Sequence, residues 1–518
     1  MTAPHSPEFF TRNNSYTSSS ATSVHDDAHP TSAADLEPKL SHALSISLTS
    51  ALDNMVQVEG GGSWPPKPTY RESWPACLQI YDDVARQAPP RFVTEELRPQ
   101  YNDAELRRRI DDNRAWLADS LASVDINAVM STLPELDVRA RLGFLACTAY
   151  LTHLYRWGTL PVVAMAQDEK SLTFPAPIGL PFRWLNDFYG IASSGGCLFS
   201  MTLVNVVDGD RPEMAYSNMR HMPYPAVADA ERYNALVFYE MERLSLTLYR
   251  SIADAQRYVA ESNDHAAAEA LKSGNAALKA AFKLFFDTLK EEKIQKAVWM
   301  SHAQGFHGWG VDDFDGVSGD HSLLIRTLDA FLDIPLKTQP GCPFAKTMVE
   351  DKSSEITTPV TQANKGILAR MYEWMWPSSS ASASTSNPGS APAKVASCPV
   401  SGKRMKEITF SEVPYSNHYL PTAQVHWIRS VRQAKLRHAV SPESETAKEI
   451  NEMLKTFKLW RMGHTRKAVY YEDLELPERK PMTASGGVGG GVAEEQEGLA
   501  QMITKLEARL RARISATK

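Results

Sequence analysis

The sequence predicts a mostly α protein with a large helical domain, a smaller N-terminal helical cap and a disordered N-terminal tail. Apolar residues recur at helical spacing in three long segments, residues 139–157, 235–259 and 266–297. The alternation typical of half-buried strands is almost absent, and only residues 198–207 fit either a strand or a buried helix. A chain of 518 residues is long enough to bury a substantial core in one or two domains.

Composition along the chain predicts where the domains begin and end. Residues 1–40 are rich in Ser, Thr, Asp and His and contain no apolar run, so they are assigned to the tail. Residues 41–170 are expected to form the small N-terminal domain, and residues 171–518 the large helical domain. Within the large domain, residues 378–397 are a serine-rich, low-complexity insert. Residues 301–319 are rich in glycine and aspartate and are expected to form a loop.

Charge and composition exclude several classes of partner. The net charge is −6, with acids and bases both scattered, which argues against nucleic acid as the main partner. No window approaches the roughly 18 uninterrupted apolar residues of a membrane span. The five cysteines are widely spaced and form no CxxC pair, as is usual in a reducing compartment. We therefore expect a cytoplasmic, monomeric protein that binds small molecules and neither nucleic acid nor membranes.

The last long helical pattern carries the most informative pair of side chains. This helix is expected to begin at Ser441-Pro442, an N-cap followed by proline. Arg461 and His464 lie three residues apart on its apolar face. Neutral imidazole is a good axial ligand for haem iron, and a buried arginine needs an anionic partner, such as a haem propionate. Ordinary core packing is the alternative interpretation of His464.

Two other groups of histidines allow different chemistry. His153 lies on a largely apolar helix face and is a rival ligand, although core packing is the expected role. His302 and His307, with His321 and the aspartates of residues 312–320, could bind zinc or non-haem iron. Their separation of five residues misses the spacing of a helical metal pair, so loop solvation and helix capping are the expected roles.

Two further segments are ambiguous. The glycine run at residues 484–491 lacks the lysine of a phosphate-binding loop, so it is expected to be a linker or a mobile lid. The dipeptides Cys342-Pro343 and Cys398-Pro399 are typical of haem-responsive segments, but two such pairs arise easily by chance.

Taken in chain order, these segments resemble the indoleamine 2,3-dioxygenase superfamily of helical haem proteins. The resemblance extends over roughly residues 75–510, and six motifs in the right order carry it. They are a helix and turn at 142–158, a distal-pocket segment at 197–204, a loop and helix at 316–334, a helix start at 418–423, the Arg-x-x-His motif at 461–464 and a lid at 484–487. In the distal segment, Cys197 replaces a phenylalanine and Met201 replaces a serine, with Ser200 one residue away.

The resemblance implies that haem b is the cofactor and that His464 is the proximal ligand of its iron. Arg461 would then bind a haem propionate. Three further residues would contact the haem, namely Phe199, Gly316 and Val317. The candidates for polar contacts with bound O₂ or substrate are three serines, Ser200, Ser318 and Ser485.

The resemblance also implies where the substrate would bind. The family places a Phe-Phe-x-x-x-Arg segment over the distal pocket, and its arginine pairs with the substrate carboxylate. Phe285, Phe286 and Lys290 are similar to that segment and are expected to line the substrate pocket. Lysine keeps the charge but loses the bidentate fork of arginine. The alternative is that both phenylalanine rings pack in the core and that the lysine is solvated at the helix edge.

The function implied is that of a haem-dependent dioxygenase. It would insert O₂ across the indole C2–C3 bond of tryptophan or an indole derivative, giving a product of the N-formylkynurenine type. One alternative is a related histidine-ligated haem enzyme that oxygenates or rearranges another aromatic substrate. A haem binder without enzymatic activity is the other.

Overall fold

Almost all of the regular structure is helical, which confirms the predicted fold class. The computed structural model describes residues 33–57, 71–94, 102–169, 172–193, 195–207, 211–217, 225–307, 316–335, 419–480 and 498–518. Its α-helices are α1 Ala33–Gln57, α2 Ala76–Gln87, α3 Pro89–Phe92, α4 Asp103–Ser120, α5 Ile126–Thr132, α6 Val138–Trp157, α7 Ala164–Gln167, α8 Ala176–Tyr189, α9 Pro225–Ala260, α10 Asp264–Thr288, α11 Lys296–Val298, α12 Gly305–His307, α13 Leu323–Phe331, α14 Thr422–Ala434, α15 Leu436–Ala439, α16 Glu445–Glu472 and α17 Leu499–Ala516.

Other regular elements are short. The two π-helices are π1 Phe199–Leu203 and π2 Trp299–Gln304, and the 3₁₀ turns are Arg71–Ser73, Leu133–Glu135 and Gly319–His321. The strands β1 Val206–Val207 and β2 Glu213–Met214 pair antiparallel. None of the helices in the described ranges is long and apolar enough to cross a lipid bilayer.

Local side-chain chemistry sets the ends of the main helices. The Asp137 carboxylate accepts hydrogen bonds from the second and third backbone N–H groups of α6, both at 2.9 Å. At the other end of α6, Gly158 has φ of +68°, a left-handed conformation that favours glycine. The Ser444 hydroxyl caps α16 by accepting from the Ala447 backbone N–H at 3.0 Å. The helix start expected at Ser441 is therefore three residues too early.

Three of the expected segments differ from the structure. Helix α1 begins at Ala33, inside the residues assigned to the tail, and the rest of that tail lies outside the described residues. Residues 198–207 are neither one strand nor one α-helix, because π1 precedes the two residues of β1. The loop expected at residues 301–319 is helical as far as His307. The insert at 378–397 lies outside the described residues.

Helix packing covers one face of the helix that carries His464. Helices α9 and α10 pack along each other, and α16 packs against both α10 and α17. Helix α1 packs against α9 and α14, although the sequence assigns most of it to the N-terminal domain. Burial of apolar side chains along these contacts is the main favourable contribution to folding.

Candidate functional site

His464 lies on α16, and its ring packs between aromatic side chains of α16 and α10. It stacks on the ring of Trp460, one turn earlier, with a centroid distance of 5.0 Å and an interplanar angle of 20°. The ring of Phe285, near the end of α10, lies 6.0 Å away. His464 is half-buried, whereas Phe285 is only 3% exposed. Two flat rings, those of Trp460 and Phe285, therefore pack against the imidazole.

A chain of aromatic contacts connects His464 to the glycine loop at residues 316–319. The ring of Phe238 on α9 lies 6.5 Å from that of Phe285, which in turn contacts His464. A Cβ atom at Gly319 would lie 3.4 Å from Cζ of Phe238. The fold thus brings together three predicted features, the Arg-x-x-His motif, the Phe-Phe segment and the glycine loop, and Phe238 joins them. We call His464, Phe285, Phe238 and Gly319 the aromatic contact chain.

The glycine loop is held by backbone and carboxylate contacts. The backbone N–H of Val317 donates to the carbonyl of His307, and Gly316 and Ser318 are buried. Just beyond the loop, the Ser322 hydroxyl and the Leu324 backbone N–H both donate to Glu242 Oε1, at 2.5 and 3.1 Å. These bonds fix the loop to α9, the helix that carries Phe238.

Burial of Glu242 has an electrostatic consequence. Removal from water raises the pKa of this carboxyl, and the hydrogen bonds from Ser322 and the backbone of α13 act against that shift. The hydroxyl of Tyr249 donates to the second carboxylate oxygen at 2.8 Å. Both oxygens are therefore hydrogen-bonded, and the side chain serves to anchor the start of α13.

Arg461 has an anionic partner within the protein. Its Nη2 donates to Asp329 Oδ1 at 2.5 Å, and its Nη1 donates to the hydroxyl of Thr517. The guanidiniums of Arg513 and Arg326 lie 3.2 and 3.5 Å from Oδ2 of the same carboxylate, which is fully buried. In place of the expected haem propionate, the structure gives Arg461 the carboxylate of Asp329. Desolvation lowers the pKa of Arg461, and the charge of Asp329 opposes that shift. Through the Asp329 carboxylate, these ion pairs join α13, α16 and α17.

The distal-pocket segment forms π1, and its serine is turned towards its own backbone. The Ser200 hydroxyl accepts from the Cys197 backbone N–H at 3.0 Å, and Phe199, Ser200 and Met201 are all buried. Phe199 contacts the ring of Tyr189 at 6.2 Å. These contacts hold Phe199 and Ser200 against α8 and their own turn, so the structure does not bring them into the aromatic contact chain.

His153 is a packed core residue, as expected. Its Nδ1–H donates to the carbonyl of Phe306 at 2.9 Å, and its Nε2 accepts from the Gly196 backbone N–H at 2.9 Å. Burial lowers its pKa to about 3, which keeps the ring neutral. Because both ring nitrogens are engaged, His153 does not compete with His464 as a ligand.

Lys290 is a surface residue and does not lie in a dry pocket. Its side chain is 50% exposed and its ammonium lies 3.3 Å from Asp287 Oδ1. The Phe-Phe segment itself divides: Phe285 is buried in the aromatic contact chain, whereas Phe286 is half-buried against Gly463. Phe286 and Gly463 border an open cavity of about 390 Å³ on the outer side of α16. Lys290, which the resemblance places in the substrate pocket, therefore lies at the surface just beyond the end of α10 at Thr288.

His302 and His307 are buried in helical structure, and each lies close to a side chain of the protein. His307 Nε2 lies 2.9 Å from Glu231 Oε1, and the second oxygen of that carboxylate accepts from Ser217. His302 Nδ1 lies 2.6 Å from the Ser301 hydroxyl. No group of three or more metal-ligating side chains occurs within the described part of the chain. The aspartates at 312, 313 and 315 lie outside it.

The remaining expected features also fall outside the described ranges. These are Ser485 with its glycine run, and the two cysteine–proline dipeptides.

Sequence reasoning missed Phe238, Asp329 and Glu242. Phe238 is an ordinary apolar helix position in the sequence, and each acid also has a partner more than 75 residues away, Arg461 for Asp329 and Ser322 for Glu242.

Neither a protein-family model nor a curated protein matches the chain.

Proposed function

We propose that the protein is a haem-dependent dioxygenase that acts on the indole ring of tryptophan or of an indole derivative. The observation that carries the proposal is the aromatic contact chain, in which Phe285 contacts both His464 and Phe238, and Phe238 contacts the glycine loop. These residues are more than 25 positions apart, and they are the segments in which the sequence resembles the indoleamine 2,3-dioxygenase superfamily. Chance resemblance would not require them to meet in space.

The donor set around His464 suits haem b. The imidazole packs against Trp460 and Phe285, whose rings are flat and apolar. Neutral imidazole is a common proximal ligand, and apolar surroundings favour binding of a macrocycle. When bound, haem would supply the activation of O₂ and its insertion across the C2–C3 bond.

The residues of the chain would have distinct tasks in this proposal. His464 binds the iron through a ring nitrogen, and Trp460 and Phe285 restrict rotation of the imidazole. The Arg461–Asp329 ion pair fixes α16 one turn away from His464. Phe238 and Val317 exclude water from one side of the site. Ser318, buried in the glycine loop, remains the better placed of the two described candidate serines.

The position of Lys290 affects the choice of substrate. A carboxylate buried in an apolar site needs a strong cationic partner, and Lys290 is paired with Asp287 at the surface. This favours an indole derivative without a buried carboxylate over tryptophan itself. We further propose that the enzyme acts as a monomer in the reducing environment of the cytoplasm.

The proposal is tested by supplying haem and following turnover of indole substrates under ¹⁸O₂. A dioxygenase places two labelled oxygen atoms in the product. A product with a single labelled atom would favour the alternative, a related haem enzyme that hydroxylates an aromatic substrate. The replacements at Cys197, just before π1, and at Met201 within it support that alternative. Haem binding without any turnover would support the other alternative, a haem-binding protein without enzymatic activity.

A further inference from the structure

Helix α16 exposes a row of large apolar side chains on its outer face. Leu459, Met462 and Tyr470 are 67%, 39% and 49% exposed, and they are three of the five large apolar side chains that are exposed in the described part of the chain. An α-helix turns by about 100° per residue, so their spacing places all three on one face. Single exposed apolar residues are ordinary, but a group on one face indicates an interaction surface.

The same face contains the open cavity of about 390 Å³ that Phe286 and Gly463 border. Arg466, Lys467 and Tyr470 complete its lining. A Cβ atom at Gly463 would lie 2.5 Å from Cζ of Phe286, so the glycine allows this ring to lie directly against the backbone of α16. A cavity with two aromatic rings and a bare stretch of backbone suits one bulky apolar side chain of a partner.

Arg466 and Lys467 give this surface a positive charge that the described chain does not neutralise. Neither forms an ion pair with any residue that the structure describes. Two acids at the end of α10 are engaged elsewhere, because Asp287 pairs with two lysines and Glu291 accepts a hydrogen bond from the Tyr470 hydroxyl at 3.2 Å. The whole chain has a net charge of −6, so this basic surface is a local feature. It is complementary to an acidic partner.

The length of the row favours a helical partner over a small ligand. From Leu459 to Tyr470 it extends over about 11 residues, or roughly 17 Å along α16. Small-molecule sites enclose most of their ligand, whereas this cavity is open. Amphipathic helices dock through apolar anchors spaced three, four and seven residues apart, which matches a surface of this length.

We propose that the outer face of α16 binds an amphipathic helix of a partner protein, with aspartate or glutamate beside its apolar residues. One apolar anchor of that helix fills the cavity beside Gly463, and others pack on Leu459 and Met462. Its carboxylates pair with Arg466 and Lys467. This surface is separate from the candidate haem site and does not depend on the proposed function.

The test uses two labelled synthetic peptides of about 18 residues, a length that spans the row. One carries leucines on one helix face and glutamates on the other, and the second has lysines in place of the glutamates. Fluorescence anisotropy measures their binding to the full-length protein. We expect the glutamate peptide to bind at least about tenfold more tightly than the lysine peptide, and to bind more weakly as salt screens the charges.

Substitutions on the row should weaken binding of the glutamate peptide. Arg466→Glu and Leu459→Ser should each reduce the affinity by at least about tenfold. The matched controls are Arg250→Glu on α9 and Ile46→Ser on α1, which change exposed residues on other helices. Both should stay within about twofold of the wild type, since surface changes outside the interface affect binding little.

Equal affinities for the two peptides, binding of neither, or undiminished binding by Arg466→Glu would overturn the inference. The proposed function would stand in each case, because the assay needs no haem. Should a variant fail to fold, the methyl resonance of Met462 in the wild type decides. It should shift on addition of the glutamate peptide while that of the buried Met55 stays in place, and an unmoved Met462 signal would refute the contact.

Two other occupants of the surface are separate outcomes. A wild type that binds no peptide but forms dimers, which Leu459→Ser abolishes in analytical ultracentrifugation, would assign the face to a second copy of the chain. Sedimentation with phosphatidylserine vesicles that Arg466→Glu abolishes, again without peptide binding, would assign it to a membrane surface. Either result overturns the proposed helical partner.

Discussion

The carboxylate of Asp329 on α13 accepts a hydrogen bond of 2.5 Å from Arg461 on α16, three residues before His464. Helix α13 follows directly on the glycine loop, so this bond connects the loop to the helix that carries the candidate ligand. Arg513 of α17 contacts the same carboxylate at 3.2 Å. Three helices therefore depend on one buried charge.

Replacement of that charge should destabilise the fold strongly. In Asp329→Asn the guanidiniums of Arg461 and Arg326 stay buried without their counter-ion, and breaking a buried pair in this way costs about 3–5 kcal/mol. Urea unfolding monitored by circular dichroism measures the loss. Asp112→Asn is the matched control, because its pair with Arg108 is largely exposed and should contribute less than about 1 kcal/mol. Equal effects of the two substitutions would contradict this account of the ion pair.

Removal of the candidate ligand should abolish specific haem binding. In His464→Ala the absorption spectrum of protein made with added haem should lose the Soret band of a histidine-ligated species. His265→Ala is the control, since His265 is an exposed histidine at the start of α10 that pairs with Glu445 at 2.9 Å. A Soret band that persists unchanged in His464→Ala would show that the ligand is another residue.

Lys290→Ala should have little effect on turnover. The ammonium is half exposed and its partner Asp287 lies on the same helix edge, and pairs of this kind contribute at most about 1 kcal/mol. We expect KM for an indole substrate to change by less than about threefold, as measured in steady-state assays. A rise in KM that is confined to carboxylate-bearing substrates would place the lysine in the binding pocket after all.

Phe285→Ala should act on stability and on the site together. The ring is 3% exposed and contacts Phe238, Trp460 and His464, so its removal leaves a cavity that costs about 3–5 kcal/mol. The His464 ring also loses one of its two aromatic supports, and the Soret maximum should shift. Phe286→Ala serves as the comparison, because that ring is half-buried and the cost should be clearly smaller.

Acid should destabilise the protein through its buried histidines. The pKa of His153 is lowered to about 3 and that of His302 to about 4, from the usual 6.5. As the pH falls below 6.5, these two histidines bind protons in the unfolded chain but not in the folded chain. Stability present above pH 6.5 is then lost towards pH 4, by up to about 1.4 kcal/mol per pH unit for each histidine.

Urea unfolding between pH 7 and pH 4 measures this loss, and His302→Leu should make the fall less steep. His265→Ala should act in the opposite sense. Its bond to Glu445 raises the pKa of His265, so that bond stabilises the fold more as the pH decreases. Parallel curves for the wild type and His302→Leu would show that His302 does not contribute to the pH dependence.

Helical periodicity predicts the fold class because it depends only on neighbours along the chain. Helix α6 was expected at residues 139–157 and is found at Val138–Trp157, since a carboxylate cap and a glycine mark its two ends. The same reasoning places His464 on a long helix and His153 in the core. Both conclusions depend on local pattern alone.

The remaining features depend on contacts between distant segments, which local pattern does not contain. The apolar surroundings of Arg461 in the sequence predict that it needs an anionic partner, but they do not predict that Asp329 is that partner. Lys290 has the expected spacing after two phenylalanines, yet α10 ends at Thr288 and directs the lysine to the surface. The glycine-rich composition after residue 301 predicts a loop, yet the chain is helical as far as His307. Contacts of His302 with Ser301 and of His307 with Glu231 stabilise this helical segment.

The π-turn at Trp299–Gln304 implies how this part of the chain responds to a change in length. A π-turn accommodates about one residue more than an α-turn, so deleting a single residue would let residues 296–307 anneal into an uninterrupted α-helix. Residues on the two sides of the deletion would keep the helix faces that they have now, because the π-turn already absorbs the extra residue that would rotate them by about 100° in a regular α-helix. The His307 imidazole would still face Glu231, so loss of one residue from this turn should leave that contact in place.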